Sequence, residues 1–536
     1  MPNRQLSMLL SAWMLACTGG WAFSVTVAVY AFHMSGVGGV GAVAAARLLP
    51  AAFAAPVTGG LLDRMERTRV VALAAALQTL CLGLAAELML NHGALLAVVV
   101  LAGASGAAAT ATRPGLEALM PALAESPDEL THATAWWSAV DSTGFLIGGG
   151  VAGIAIAAAG VGAIAVAAAV LLFGAALIAA RLPAGSAAEN QVLDEEEGEF
   201  AGALAGLRAV LRSSILRVPF GLFAGLLLLE GTTDVQLVAL ALGKLRLGNG
   251  GPGLLYGVWG AGGLLGSVAI LALVRRRGYG LALTVGALGF GAGLASAGVD
   301  GVALALAAMV AAGIGFSLVE TSVTGLVPRL ADDRVIGRVY ALSELLYAGA
   351  AGLGALIAPA LVEALGVAGS LIAVGIAFAS FAALALRSCA RLDVGQEQAG
   401  RVRELLRHVG FLAPLPLPQL ERLVRRARSV LVPAGVDVIR IGDPGEDFFV
   451  IEHGSAEVAE YKRRQGPGDG FGEIALLRDV PRTATVRAVT DLQLWAIGRP
   501  TFIAAVLGHG DATALADAIV AERLARERVN EARMPG

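Results

Sequence analysis

Apolar runs of about 20–26 residues recur along the first ~390 positions, and this recurrence decides most of what the chain can fold into. They lie near 9–32, 38–61, 69–90, 94–113, 135–159 and 161–181, and again near 217–242, 251–274, 280–299, 301–327, 340–363 and 366–387. As a helix, each run covers roughly the ~30 Å depth of the hydrocarbon core. Only 15% of the residues are charged, against about 25% in a soluble domain, so the excess apolar surface calls for lipid. The predicted fold class is therefore an all-α membrane bundle of twelve transmembrane helices in two six-helix halves, 1–181 and 217–390. A linker, 182–216, joins the halves.

Arginine and lysine orient the bundle. Loops after even-numbered runs carry Arg64, Arg67 and Arg69, then Arg275, Arg276 and Arg277, then Arg329, Arg334 and Arg338. Loops after odd-numbered runs are short and nearly uncharged, Lys244 and Arg246 excepted. The positive-inside rule then puts both termini and the even loops in the cytoplasm, as expected for a bacterial inner membrane. The linker holds an acidic run, Asp194 to Glu197, and an amphipathic stretch, Phe200 to Leu216, suited to an interfacial helix or a solvated linker. Glycine and alanine dominate the spans, which suits close helix contacts and equally suits a biased genome composition. Trp136 and Trp137 read as an interface belt.

Charges inside apolar runs are costly and are retained where they face a cavity, pair or carry protons. Arg47, Asp141, Glu230, Asp234, Glu320 and Glu344 are such charges. Glu230 and Asp234 stand one helical turn apart on one face. Glu230, Asp234 and Glu320 suit proton or substrate sites with Arg47 as counter-charge, and fixed interhelical pairs are an equal reading. Asp141 and Glu344, near the cytoplasmic ends, read as gating or boundary residues. Leu119-Met-Pro-Ala-Leu-Ala124 returns as Leu326-Val-Pro-Arg-Leu-Ala331, the signature of a parallel repeat with its site between the halves.

After Arg391 the composition changes. A linker helix is expected over 391–410 and an α+β domain over 411–536, with a helix from Gln419 to Arg428, then short β runs joined at Gly435, Gly442, Gly445 and Gly454, and a closing helix over 513–529. Lys462 to Gly468 reads as a solvated turn. The net charge of −3 gives no nucleic-acid footprint. Cys17, Cys81 and Cys389 lack metal-ligand spacing, and no triad or Walker loop is present, so neither a metal site nor an enzyme is expected.

Two resemblances sharpen this reading. Gly59-Gly-Leu-Leu-Asp63-Arg64-Met-Glu66-Arg67 resembles the loop after the second span in the major facilitator superfamily, with Glu66 in place of a second glycine. The resemblance implies that Gly59, Asp63, Arg64 and Arg67 form a gating loop, Asp63 capping a helix N-terminus. The stretch from Arg113-Pro114 to Leu123 is similar to the drug and siderophore exporters of that superfamily. The second resemblance is to cyclic nucleotide-binding domains. Gly442 to Gly454 and Phe471-Gly-Glu-Ile-Ala-Leu-Leu-Arg-Asp-Val-Pro-Arg-Thr-Ala484 carry it. It implies that Phe471, Gly472, Glu473, Ile474, Ala475, Arg482, Thr483 and Ala484 line a site for cAMP or cGMP, Thr483 leaving the base open. Glu473 would accept the ribose 2′-OH, and Arg482 with the helix start at Gly472 would hold the phosphate.

The expected function is thus a secondary transporter, proton-coupled and exporting, regulated by a cyclic nucleotide and needing no other cofactor. A membrane-anchored nucleotide receptor and an importer of the same fold are the alternatives. The expected partners are cAMP or cGMP, an unidentified small molecule and the bilayer. A homodimer is the partner if the soluble domain serves as a dimerisation module.

Overall fold

A computed structural model of the protein describes residues 3–124, 127–183, 199–213, 215–330, 336–508, 512–518 and 521. The chain forms two compact units, Met1–Leu392 and Asp393–Gly536. The first is helical: α1 (Arg4–Arg64), α2 (Arg67–Leu90), α3 (Leu95–Leu123), α4 (Pro127–Phe145), α5 (Ala152–Ala159), α6 (Val161–Ala179), α7 (Glu199–Arg212), α8 (Arg217–Ala239), α9 (Gly251–Arg277), α10 (Tyr279–Ala297), α11 (Val302–Leu330) and α12 (Ile336–His408). Single π-helical turns, Leu146–Val151 and Leu240–Lys244, follow α4 and α8. The acidic run at 194–197 lies outside the described residues.

Where the sequence predicts twelve spans, the described residues hold ten helices long and apolar enough to cross a membrane. The difference lies in two of them, Arg4–Ala55 and Arg338–Leu392, of 52 and 55 residues. As single rods these would rise about 80 Å, far beyond ~30 Å of hydrocarbon. Each is interrupted without a loop: Ser35 and Gly36 leave helical geometry inside α1, and Gly366 (φ 71°) does so inside α12. A glycine in the left-handed region breaks a helix at no steric cost.

Some helix faces turn large residues outward. On α2, Leu73, Leu77, Leu80 and Leu84 are exposed along one face, while Ala75, Ala85 and Ala86 are buried. In lipid this inversion is expected, because small residues let backbones approach and leucine is as apolar as its surroundings. The tightest approach joins α8 and α12: a Cβ on Gly231 would sit 1.8 Å from the Ala351 carbonyl oxygen, and one on Gly354 would sit 1.9 Å from that of Leu228. The duplicated Leu119 and Leu326 stretches close two helices of equal length, α3 and α11, each of 29 residues.

The loop after α1 is only Met65 and Glu66. Asp63 falls in the last turn of α1, so the cap position of α2 goes to Glu66 rather than to Asp63; the Asp63 side chain lies outside what is described. Glu66 pairs with Arg69 at 2.5 Å, Arg67 donates to the Ala118 carbonyl at 3.3 Å, and Arg64 is exposed at the C-terminal end of α1. Gly59 sits mid-helix, partly buried. Trp137 is not part of an interface belt. It is buried and stacks on Trp13 at 4.9 Å between ring centroids, while Trp136 is 56% exposed.

The second unit begins with the end of α12 and continues with α13 (Leu417–Arg426). Then follow β1 (Arg428–Val432), β2 (Asp437–Ile439), β3 (Asp447–His453), β4 (Ala456–Val458), β5 (Arg463–Gln465), β6 (Gly470–Phe471), α14 (Glu473–Arg478), β7 (Val486–Ala488), β8 (Leu492–Gly498) and α15 (Arg499–Leu507). Residues 512–518 and 521 are helical, and the rest of the closing helix expected at 513–529 lies outside the described residues. The helix expected at Gln419–Arg428 starts two residues earlier, since Pro416 and Pro418 suit a helix entrance, and Arg428 already opens β1. The stretch expected to be a solvated turn contains β5: Lys462 takes the left-handed conformation (φ 49°) and turns the chain back, so that Arg463–Gln465 pairs with β4.

Eight strands form two antiparallel sheets, ordered β1-β8-β3-β6 and β2-β7-β4-β5. Alternation along β3 explains how both faces are filled. Phe448 and Val450 join the helices α12, α13 and α15, where Phe448 stacks on Phe502 at 4.6 Å. Phe449 and Ile451 point the other way, into a core shared by the two sheets, where Phe449 stacks on Phe471 at 5.4 Å.

Gly231→Val is expected to destabilise the bundle by about 1–3 kcal/mol through overpacking at Ala351. A lowered melting temperature of the detergent-solubilised protein checks it, and an unchanged one contradicts the α8–α12 contact.

Candidate functional site

A cavity of about 290 Å3 opens in the soluble unit. The structure brings Phe471, Gly472, Glu473, Ile474, Ala475, Arg482, Thr483 and Ala484 together in its wall, all eight residues expected there. Strand β6 ends at Phe471, Gly472 turns left-handed at φ 91°, and α14 begins at Glu473. That turn is specific to glycine twice over. The φ is strained for any L side chain, and a Cβ there would lie 2.5 Å from Arg482 Nη1. Gly445 is needed similarly, since its Cβ would press on that of Ala475 at 2.8 Å.

Arg482 is buried, with 5% of its surface exposed. Its Nη1 donates to the Gly472 carbonyl at 2.9 Å and its Nη2 to that of Asp447 at 2.7 Å. Its own backbone is pinned, its N–H donating to the Asp443 carbonyl at 2.8 Å and its carbonyl accepting from Gly442 at 2.9 Å. The guanidinium carbon stands 6.0 Å from the Phe449 ring centroid. Burial lowers the arginine's pKa from its ordinary value, and the nearby charges of Asp447, Glu473, Asp443 and Glu446 oppose that shift. Glu473 is buried too, at 1% exposure.

The remaining wall was not foreseen. Ile439, Val458, Tyr461, Arg463, Gln465 and Val486 complete it, mostly from the β2-β7-β4-β5 sheet. Alternating apolar residues in β4 and β7 signal an inward face, but β5, a three-residue polar strand, carries no such pattern. Asp437 ties this sheet together, accepting from Arg487 at 2.7 Å and from Arg440 at 3.2 Å.

The membrane unit groups most of its ionisable candidates. Tyr256 Oη on α9 donates to Asp234 Oδ1 on α8 at 2.9 Å, and Tyr347 Oη on α12 donates to Glu320 Oε1 on α11 at 2.6 Å. Arg47 hydrogen-bonds Ser24 and acts electrostatically on Asp234, while Glu230 couples to both Asp234 and Glu320. All four charged residues are half-buried. Asp141 is bridged to Arg113 at 3.4 Å beside the Trp13–Trp137 stack, and both act electrostatically on Glu320. Glu344 is exposed.

Residues 9–355 match the Major Facilitator Superfamily. The chain belongs to that superfamily. It is an integral membrane protein, and residues 430–509 match the cyclic nucleotide-binding domain, whose regulatory ligand is cAMP or cGMP. Neither family is enzymatic.

Over 107 residues, 17% of this superfamily member and 25% of the relative, the chain is 39% identical to a cAMP-dependent protein kinase regulatory subunit of Emericella nidulans. Over 118 residues, 21% of this chain and 33% of the other, it is 37% identical to a cyclic nucleotide-gated potassium channel of Mesorhizobium japonicum. The chain thus spans only a quarter to a third of these curated relatives. The crystal structure of the nucleoside transporter NupG matches 73% of this chain and 99% of its own at a TM-score of 0.58 and 14% identity. A POT family transporter solved in complex with 5-aminolevulinic acid matches 73% and 96% at a TM-score of 0.60 and 13% identity. At such identities these two matches speak for the fold alone.

Two outcomes follow from the site's geometry. Gly472→Ala is expected to cost the soluble unit about 1–2 kcal/mol through left-handed strain, read as a lower unfolding midpoint followed by Trp495 fluorescence. The Asp437 carboxyl is held below its ordinary pKa, first by the Arg487 hydrogen bond and then by Arg440. A depressed carboxylate contributes stability above its unfolded pKa and loses it as pH falls through its folded value, here below about pH 4. Arg487→Ala is therefore expected to move acid unfolding of the soluble unit to higher pH; an unmoved acid midpoint would show that the pair contributes nothing.

Proposed function

We propose that the protein is a secondary transporter whose membrane unit works by alternating access and is regulated by a cyclic nucleotide bound in the soluble unit. The observation that carries this reading is the cavity holding a buried, carbonyl-anchored Arg482 and a buried Glu473 on the same chain as a Major Facilitator Superfamily bundle. Arg482 holds the cyclic phosphate with Thr483, and Glu473 accepts the ribose 2′-OH. Gly472, Ile474, Ala475 and Ala484 shape the wall around them, with Phe471 behind.

In the membrane the chain crosses twelve times, the two long runs each turning at their internal break near Gly36 and Gly366. Two six-helix halves, 1–181 and 217–390, are joined by 182–216, and 391–410 links them to the nucleotide domain at 411–536. Both termini and that domain face the cytoplasm of a bacterial inner membrane, in keeping with the arginine-rich even loops. Asp234 and Glu320, each on a tyrosine hydroxyl, with Glu230 between them electrostatically, carry protons or contact the substrate. Arg47 is their counter-charge. A charge in the bilayer core costs about 2.5–3.5 kcal/mol on the insertion scale, and three carboxylates with one arginine are more than structural pairing needs. Asp141 and Glu344, with the Gly59–Arg67 stretch that includes Asp63 and Arg64, gate the cytoplasmic end. Export is the direction we assign, on the likeness of the Arg113–Leu123 stretch to drug and siderophore exporters.

Calorimetry of the full chain with cAMP and cGMP tests the nucleotide reading. Arg482→Ala is expected to weaken binding about 10–100-fold by removing charged hydrogen bonds, and no binding by the unaltered chain refutes regulation by nucleotide. In proteoliposomes, Asp234→Asn or Glu320→Gln is expected to abolish pH-gradient-driven flux. A bundle with no proton or solute exchange at all would leave a membrane-anchored receptor.

A further inference from the structure

Gln465 is 4% exposed, lines the cavity from β5, and its Oε1 is buried with no hydrogen-bond partner. The register explains why it points inward. Gln465 pairs with Ala456 and Arg463 with Val458, whereas Arg464, between them, faces the other way and reaches Glu457 at 3.8 Å. Beside Gln465 the sheet turns Val458, Ile439 and Val486 to the cavity, none with a side-chain donor, while the polar ends of Arg463 and Tyr461 complete that wall. An amide oxygen kept from water without a partner is unfavourable, and an apolar side chain would fill the position as well. A ligand that brings a donor to this point removes the deficit.

We infer that Gln465 reads the edge of the purine base and selects adenine over guanine. The inference rests on the proposed nucleotide site: once Arg482 holds the phosphate and Glu473 the ribose, the wall of the β2-β7-β4-β5 sheet remains for the base. Its valines and isoleucine suit the flat faces of the ring, and its amide suits the edge. A glutamine amide matches adenine, its oxygen accepting from the 6-amino group while its nitrogen donates to a ring nitrogen; arginine is the usual partner of guanine. Guanine presents an acceptor, O6, where adenine has its amino donor. Arg463 also lines the cavity, but it is exposed and stays hydrated without a ligand, so the buried amide sets the preference.

The test is calorimetric titration of the full-length protein in detergent with cAMP, cGMP and purine riboside 3′,5′-cyclic monophosphate, which lacks the 6-amino group. Unaltered protein is expected to bind cAMP about tenfold or more tighter than either of the others. Gln465→Met, similar in shape, is expected to bring the three affinities together while leaving the ligand-free melting temperature unchanged or higher. Gln465→Leu serves if the first variant fails to fold. Equal or tighter binding of cGMP by the unaltered protein overturns the inference, as does a preference for cAMP that survives the substitution. Failure to bind any of the three removes the nucleotide site itself, a different result from binding without discrimination.

Discussion

A charge or polar group taken out of water has to be met by something, and this requirement organises both units. Arg482 is met by two backbone carbonyls, Asp234 and Glu320 by tyrosine hydroxyls, Arg47 by Ser24, and Arg113 by Asp141 and Glu117. For Arg482, Asp234, Glu320 and the Arg113–Asp141 pair the partner comes from a different element, so satisfying the group also fixes how two elements meet, whereas Ser24 and Glu117 share a helix with the arginine they meet. Arg482 pins the turn at Gly472 to the start of β3. Tyr256 and Tyr347 tie α9 to α8 and α12 to α11. At the buried Arg482, removing a partner would leave a buried charge less well met, which costs more than the contact gains. These groups are therefore poor places for a neutral substitution and good places for a site.

Backbone proximity is the second organiser, and glycine carries it. Between α5 and α9, a Cβ on Gly153 would lie 2.4 Å from the Gly253 Cα, and one on Gly253 would lie 2.4 Å from the Gly153 carbonyl carbon. Such contacts have no bulky side chains to unlock. A richness in glycine and alanine that composition alone left ambiguous is thus tied, at these positions, to helices lying backbone against backbone. Where nothing lies within reach of an added Cβ, as at Gly20, Gly83 and Gly289, packing gives no reason for the glycine.

How far the chain was legible follows the length of its signals. Twenty-residue apolar runs announce membrane helices because lipid demands an unbroken apolar length. They do not announce turns without a loop, which is why the run boundaries near 32–38 and 363–366 vanish into α1 and α12. In the soluble unit, one wall of the cavity was legible residue by residue because it lies in one continuous stretch, Phe471 to Ala484. The opposite wall was not. It comes from β2, β4, β5 and β7, and β5 has three residues, two of them arginines, set by pairing with β4 rather than by any local pattern. Trp137 was misplaced for a related reason: two adjacent tryptophans suggest an interface, but the helix turns by about 100° per residue, so one faces outward and the other meets Trp13.

Regulation by a ligand needs a difference in affinity between two states, and the shift can be no larger than that difference. Arg482 helps to locate it. A guanidinium has five N–H donors, and two are spent on the Gly472 and Asp447 carbonyls. Those bonds hold the arginine in a fixed place. Such preorganisation strengthens binding by avoiding an ordering cost, but a group anchored to its own backbone does not by itself tell two states apart. The discrimination must come from groups whose neighbours change. In the site we propose, an anchored arginine and an unmet amide acceptor would divide the work in that way: the first would supply affinity for any cyclic nucleotide, and the second would make the response depend on which one arrives.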